Sequence, residues 1–221
     1  MSQGSISIVP IFATPLAIVT LPAAPQTNEK VVQLFAQHVA ANPAPAGAAR
    51  LCYQSTDDLL DWSDEHLRQL CGEILRGVWS TVAAVTTLTP EQLKTLSMQA
   101  RAAFTIVQPN GCMPATSHSL TAWSGIYCLQ APAPVPERAD SGVVRFYEGR
   151  LGAMLSDATN SAMRVPFTSG HYTWRATPGQ LLVFPGSLNH EIPLIRSDGA
   201  LAFIAVRTRF VGPGQEGLSR W

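Results

Sequence analysis

Two histidines, each at the edge of an apolar run, constrain the fold of this chain more than any other feature. His118 stands shortly before the run 123–127, and His190 shortly after the run 181–185. Runs rich in β-branched and aromatic residues are typical of buried β-strands. A double-stranded β-helix, the jelly-roll or cupin-like barrel, brings side chains from distant strands together at its mouth. The sequence therefore predicts a barrel within 104–210 that holds both histidines at one site.

Turn and capping signals predict helices before this barrel. Apolar residues at helical spacing predict amphipathic helices over 28–42 and 63–81. A threonine followed by Pro90 combines an N-cap with proline at the first helical position, and it predicts a short helix over 90–99. The stretch 5–21 is apolar but is broken by two prolines, which favours an edge strand. These elements are expected to buttress the barrel.

From residue 102 onwards the hydrophobic spacing becomes that of strands. Strands are predicted over 104–108, 122–129, 142–147, 171–175, 180–184 and 200–210. Residues 150–163 show no clear period. Helices followed by strands indicate an α+β, mainly β fold. We expect a single domain over 1–221, with an N-terminal strand and helices in 1–101 and the barrel core in 102–211.

Composition and charge narrow the class of partner. Fifteen basic and fifteen acidic residues give a net charge of zero, and no run of like charge suggests nucleic acid or a membrane surface. The four cysteines have neither zinc-site spacing nor the density of a disulfide framework. The N-terminus lacks the pattern of a signal peptide. We therefore expect a cytoplasmic protein that acts on a small molecule or a protein, with a small-molecule substrate as the main expectation, and the N-terminal edge strand is compatible with a homodimer.

Four segments resemble one family. Gly-Gln-Leu-Leu-Val-Phe-Pro-Gly-Ser-Leu-Asn-His at 179–190 and Ser-Gly-Ile-Tyr-Cys-Leu-Gln-Ala-Pro at 124–132 are similar to two strands of a small bacterial and phage-type group of iron(II)/2-oxoglutarate-dependent oxygenases. These are the group's "G.L..FPS.L.H" and "SGVYYL..P" strands. Residues 11–16 and 53–60 resemble its opening "FPTP" and "W.S..DL" segments. The resemblance spans nearly the whole chain and implies a divergent member with a jelly-roll barrel, Fe(II), 2-oxoglutarate and O2.

The resemblance implies a metal site at the two histidines. In this group the early ligands often read His-x-His, and here the second of these positions is His118 while the first is Thr116. The more usual acidic residue two positions after the early histidine is also absent, because Leu120 stands there. His118 and His190 are thus the expected metal ligands and catalytic residues.

The third metal ligand stays open in the sequence. His171 and Glu148 are the candidates that the sequence offers. Alternatively, two protein ligands are enough and water or an anion takes the third place, or the barrel has lost both metal and activity. His38 and His66 fall on predicted helices and are expected at the surface.

The resemblance also implies an anchor for the far carboxylate of 2-oxoglutarate. Relatives place an arginine about ten residues after the distal histidine, where its planar fork pairs with a carboxylate, but positions 199–203 read Gly-Ala-Leu-Ala-Phe. Arg207 lies further along the same strand, Arg145 lies on an earlier strand, and Tyr127 matches the first aromatic residue of the "YY" pair. Arg150 matches the arginine of an "F.DPR" segment. Tyr127, Arg145 and Arg207 are the expected co-substrate residues.

Three hypotheses about the function remain. The first is a non-haem iron oxygenase that hydroxylates or otherwise oxidises a small molecule with O2 and 2-oxoglutarate, or a 2-oxoglutarate-independent iron oxidase. The second is a catalytically inactive binding or scaffold protein on a degenerate barrel. A metal-dependent cupin-type isomerase or hydrolase is a third hypothesis. The intact strand before His190 favours an enzyme, whereas the missing ligand and the missing arginine favour a scaffold.

Overall fold

The computed structural model describes residues 13–21, 25–44, 51–118, 120–147 and 170–213. Its helices there are α1 (Pro25–Ala41), α2 (Glu65–Val85) and α3 (Pro90–Lys94), with a 3-10 turn at Leu59–Asp61. Its strands are β1 (Ala17–Thr20), β2 (Cys52–Gln54), β3 (Ser97–Val107), β4 (Met113–Thr116), β5 (Trp123–Gln130), β6 (Val143–Tyr147), β7 (His171–Arg175), β8 (Gln180–Pro185), β9 (His190–Ile192) and β10 (Leu201–Val211).

These strands form two antiparallel sheets with an apolar core between them. The six-stranded sheet has the order β1-β8-β5-β10-β3-β2, and the four-stranded sheet has the order β4-β9-β6-β7. Both sheets contribute to the core between them, with Phe146 from one sheet and Phe184 and Phe203 from the other. From β3 to β10 the chain passes repeatedly from one sheet to the other. The mainly β, jelly-roll-like character predicted from the sequence is confirmed.

The two longer helices cover the outer face of the six-stranded sheet. α2 begins after Asp64, whose side chain caps the helix by accepting a hydrogen bond from the backbone N of Leu67 at 2.9 Å. Its buried face joins α1 and the sheet in a second apolar core. His38 on α1 is half-buried, not fully at the surface, because its ring packs 4.7 Å from that of Trp62.

The third helix is shorter than the sequence predicts, and the first strand of the barrel is longer. α3 ends at Lys94 and not near residue 99, since its capping box secures its start while none of its residues is buried. β3 already begins at Ser97, because residues 97–101 pair with the last part of β10. The strand thus begins before the predicted boundary at 101/102.

Some sequence predictions concern residues outside the described part. Of the predicted edge strand over 5–21, the structure describes β1, which pairs antiparallel with β8 at the edge of the larger sheet. Residues 150–163 lie outside the described ranges. Within those ranges no helix is long and apolar enough to cross a membrane.

Tyr127 ties the helices to the sheet through a buried hydrogen bond. Its side chain is fully buried in the core under the helices, and its hydroxyl donates to Oδ1 of Asn28 on α1 at 2.9 Å. Burial raises the pKa of Tyr127 to about 12. The hydroxyl therefore stays protonated and serves as a donor to α1.

Replacing Tyr127 by Phe should lower the free energy of unfolding by about 1–3 kcal/mol, because the buried oxygen of Asn28 loses its partner. Denaturant unfolding followed by circular dichroism measures the change. Tyr172→Phe is the matched control, since Tyr172 is 46% exposed, and it should change the stability by less than about 0.5 kcal/mol. Equal stabilities of the two variants would contradict this role for the hydrogen bond.

Candidate functional site

His118 and His190 lie side by side between the two sheets. Their ring centroids are 5.5 Å apart. His190 opens β9, where it pairs with Thr116 of β4 and Phe146 of β6, and only 2% of it is exposed. Its ring packs against Phe184 with centroids 5.0 Å apart. The fold thus brings together two histidines that are far apart in the chain, as the sequence predicts.

A close backbone contact at Gly186 fixes the loop that carries His118. The backbone N of His118 donates to the carbonyl of Gly186 at 2.7 Å, and the N of Gly186 donates to the carbonyl of Ala122 at 3.1 Å. A Cβ at position 186 would lie 2.4 Å from the carbonyl oxygen of Thr121. Only glycine allows this approach, so the glycine after β8 helps to set the position of His118.

Both imidazole rings are held through Nδ1. The Nδ1 of His190 donates to the carbonyl of Leu188 at 3.1 Å. The Nδ1 of His118 and the Oγ of Ser124 are joined by a hydrogen bond of 3.1 Å. Among the described residues neither Nε2 has a hydrogen-bond partner. Histidines that bind metals usually donate one ring N–H to such a neighbour and ligate through the other nitrogen.

Burial keeps both imidazoles neutral. It lowers the pKa of His118 to about 4, with smaller effects in the same direction from His190 and Arg207, while Asp57 acts in the opposite sense. Burial also lowers the pKa of His190, although its hydrogen bond to the carbonyl of Leu188 raises it in part. A neutral imidazole is the form that binds a metal ion, so the pair is ready for a metal at physiological pH.

The two histidines line a cavity of about 340 Å³. This volume lies near the lower end of ligand pockets, which span roughly 300–1,000 Å³. The cavity has apolar walls that include Phe184, Phe203 and Ile126, together with a few polar side chains. The polar lining residues besides the histidines are Gln54, Thr105, Thr116 and Ser124. Such a cavity suits a small molecule with a few hydrogen-bonding groups.

Arg207 lies on the cavity side of β10, next to His118. It pairs across the strands with Ser124 of β5, and residues paired in this way share a face. Its guanidinium forms a half-buried ion pair with Asp57. Of the three predicted co-substrate residues, Arg207 is thus the one that shares the face of the histidine pair, but it already has an acidic partner. Arg209, further along β10, donates through Nε to the carbonyl of Leu120 at 2.6 Å.

The structure does not bring His171 or Arg145 to this pair. His171 pairs with Tyr147, whereas His190 pairs with Phe146, the residue just before Tyr147 on β6. Because neighbouring residues of a strand point to opposite faces, His171 and His190 lie on opposite faces of the smaller sheet. Arg145 is on that outer face too, where it forms an ion pair of 2.9 Å with Glu191, which also accepts a hydrogen bond from Tyr147 at 2.6 Å.

Other predicted positions also differ from the expected site. Tyr127 points towards the helices and away from the cavity. Thr116 lines the cavity, whereas Leu120 is 69% exposed and turned to solvent. Glu148 and Arg150 lie outside the described residues. Within the described ranges no three His, Cys, Asp or Glu side chains come together as a metal site.

Sequence reasoning missed three polar side chains of this cavity and the acidic partner of Arg207. Ser124 holds His118, Asp57 holds Arg207, and Gln54 and Thr105 lie beside each other on neighbouring strands. Small polar residues of this kind carry no signal of their own in a single sequence. Gln54 and Asp57 lie within 53–60, which resembles a family segment, but that resemblance implies no role for them.

Solved structures show what this fold is similar to. The alpha-ketoglutarate-dependent non-heme carbocyclase SnoK from nogalamycin biosynthesis matches with a TM-score of 0.62 and 11% identity over 95% of this chain and 87% of that chain. A Pseudomonas putida prolyl-4-hydroxylase matches with a TM-score of 0.57 and 11% identity over 88% and 92%. HygX from Streptomyces hygroscopicus, solved with nickel and 2-oxoglutarate bound, matches with a TM-score of 0.55 and 12% identity over 91% and 84%.

Sequence comparison adds nothing to these matches. No family model matches the chain, and no curated protein matches it. At 11–12% identity the structural matches show the fold alone. They cover almost the whole of this chain and of the matched chains, so the likeness extends over the helices as well as the sheets.

The neutral state of His118 predicts how stability depends on pH in the metal-free protein. Between about pH 4 and 6.5 the unfolded chain protonates this histidine while the folded protein does not. The free energy of unfolding should therefore fall as the pH falls through this window. His118→Asn should make that dependence shallower in urea titrations, whereas His171→Asn, on the exposed outer face, should leave it closer to wild type. An unchanged slope for His118→Asn would contradict a buried, neutral imidazole.

Proposed function

We propose that this protein is a non-haem iron(II) oxygenase that oxidises a small molecule with O2 and a 2-oxo acid. The observation that supports it best is the histidine pair, in which both Nδ1 atoms are occupied by neighbours and both neutral rings border one cavity. We also propose that β3 to β10 form a double-stranded β-helix, the barrel in which the sequence predicts such a site.

The donor set fits iron in part. His118 and His190 would supply two imidazole nitrogens, as in the two-histidine, one-carboxylate sites of non-haem iron enzymes. Leu120 stands where the carboxylate would be and is turned to solvent. We infer that water or an anion takes this third place, which leaves the remaining positions for the 2-oxo acid and O2. Bound iron would supply the oxidising chemistry.

The chain's own residues hold and shield this centre. Ser124 and the carbonyl of Leu188 orient the two imidazoles through Nδ1. Phe184 and Phe146 pack against the ring of His190 and exclude water from one side of it. Low local polarity strengthens electrostatic interactions at such a site.

His171, Arg145 and Tyr127 lie outside the proposed active site. His171 and Arg145 lie on the outer face of the smaller sheet, and Tyr127 lies under the helices. We infer that Arg145 and Tyr127 stabilise the fold and that neither contacts the co-substrate. The resemblance of SnoK, the prolyl-4-hydroxylase and HygX in fold supports the general function and gives no substrate.

One observation favours a second candidate function. The family's third ligand and its arginine are both missing, and the arginine's region of β10 carries Phe203 in the cavity wall. A barrel with those two losses can also serve as a binding protein without catalysis. The oxygenase proposal requires that the histidine pair binds iron, whereas the binding-protein candidate does not.

Removing one histidine should decide between the two candidates. His190→Ala should weaken Fe(II) binding by more than about 100-fold, since even the loss of a residue that only orients a ligand costs 10–100-fold. His171→Ala is the control and should keep the wild-type affinity. Anaerobic Fe(II) titration followed by calorimetry measures both. Iron binding that survives His190→Ala, or wild-type protein that binds no iron, would contradict the proposed site.

A further inference from the structure

One part of the cavity wall carries a buried hydroxyl that has no hydrogen-bond partner among the described residues. Thr105 of β3 is 1% exposed, and its Oγ1 makes no hydrogen bond within the described part of the chain. Buried hydroxyl groups are nearly always hydrogen-bonded, because burial removes their water. Since Thr105 lines the cavity, the missing partner is expected among the groups of a bound ligand.

The neighbours of Thr105 extend this polar spot into a row. Across the strands Thr105 pairs with Gln54 of β2 on one side and with Phe203 of β10 on the other, so all three side chains face the cavity. Gln54 is exposed at the rim, and Thr105 lies inside. The amide of Gln54 can both donate and accept hydrogen bonds, as can the hydroxyl of Thr105.

No charged side chain lies beside this row in the described cavity wall. Arg207 is not among the described residues that line the cavity. Its guanidinium is also bound to Asp57. Apart from the neutral histidines, the described polar side chains that line the cavity are uncharged.

We propose that Gln54 and Thr105 form a subsite for an uncharged polar group, such as a carboxamide, at the far end of the 2-oxo acid that binds at the histidine pair. This inference rests on the proposed function. A carboxylate buried beside Thr105 would lack a cationic partner in the described wall, and burying an unpaired charge is costly. A carboxamide both donates and accepts, and so it matches both side chains of the subsite.

Three 2-oxo acids that differ at the end away from the 2-oxo group test the subsite. Only their binding is measured, without turnover. The full-length protein is titrated anaerobically with Fe(II), and then with 2-oxobutyrate, 2-oxoglutarate or the 5-amide of 2-oxoglutarate. The weak visible charge-transfer band of a metal-chelated 2-oxo acid reports binding without turnover. We expect the amide to bind more tightly than 2-oxoglutarate, whose far carboxylate would be unpaired, and more tightly than 2-oxobutyrate, which has no polar far end.

Two variants at Thr105 separate hydrogen bonding from packing. Thr105→Val keeps the shape but removes the hydroxyl, and it should weaken the amide by about five- to tenfold, the effect of one hydrogen bond. Its affinity for 2-oxobutyrate should stay within about twofold, which also shows that the site remains folded. Thr105→Ser retains a hydroxyl and should restore much of the amide affinity.

The outcomes distinguish this inference from the function on which it rests. If 2-oxobutyrate gives the band but 2-oxoglutarate binds about tenfold more tightly than the amide, the enzyme stands and the uncharged subsite is wrong. The same holds if Thr105→Val leaves the amide affinity unchanged. If iron binds but none of the three acids gives the band, the use of a 2-oxo acid fails, and the inference fails with it.

Discussion

The arrangement of this cavity depends on the register of β10 at the centre of the larger sheet. β10 pairs with β3 along its whole length and with β5 on its other side. That register aligns Phe203 with Thr105, and Arg207 with Ser124, on the face that borders the cavity. A shift by one residue would turn every one of these side chains to the opposite face. The pairing of three strands therefore fixes which residues a ligand can touch.

In the smaller sheet, too, the register of the strands decides which side chains face the cavity. β9 is only three residues long and lies between β4 and β6, so that His190 faces inwards while Glu191 faces outwards. Alternation then places Arg145 and His171 with Glu191 on the outer face. A single strand position thus separates a candidate metal ligand from a surface ion pair.

Strand register and the alternation of side chains along a strand explain how much of the molecule the sequence could predict. Strands β5 to β8 and β10 follow from local apolar runs, as does the meeting of the histidines, because such runs mark buried strands wherever they occur. The three-residue strand β9 has no such run and is not among the predicted strands. The face of His171 or of Tyr127 depends on pairing with residues far away in the chain, which no local pattern contains. Thr105 and Gln54 could not be found for the same reason, as they meet only through the pairing of β2 with β3.

The chemistry of the site follows from burial as much as from residue identity. Desolvation keeps both imidazoles neutral, which suits them to a metal ion, and their Nδ1 partners fix the tautomer of His190 and orient both rings. Leu120 and Phe203, where the sequence departs from the group that it resembles, lie outside the histidine pair and do not disturb it.

X-ray absorption at the iron edge of the Fe(II)-loaded protein tests whether His118 and His190 bind the metal, because it counts the imidazole ligands. We expect two imidazoles in the wild-type protein and one after His118→Ala. An iron site without imidazole ligands, or a count that His118→Ala leaves unchanged, would contradict the assignment of His118 and His190 as the metal-binding pair.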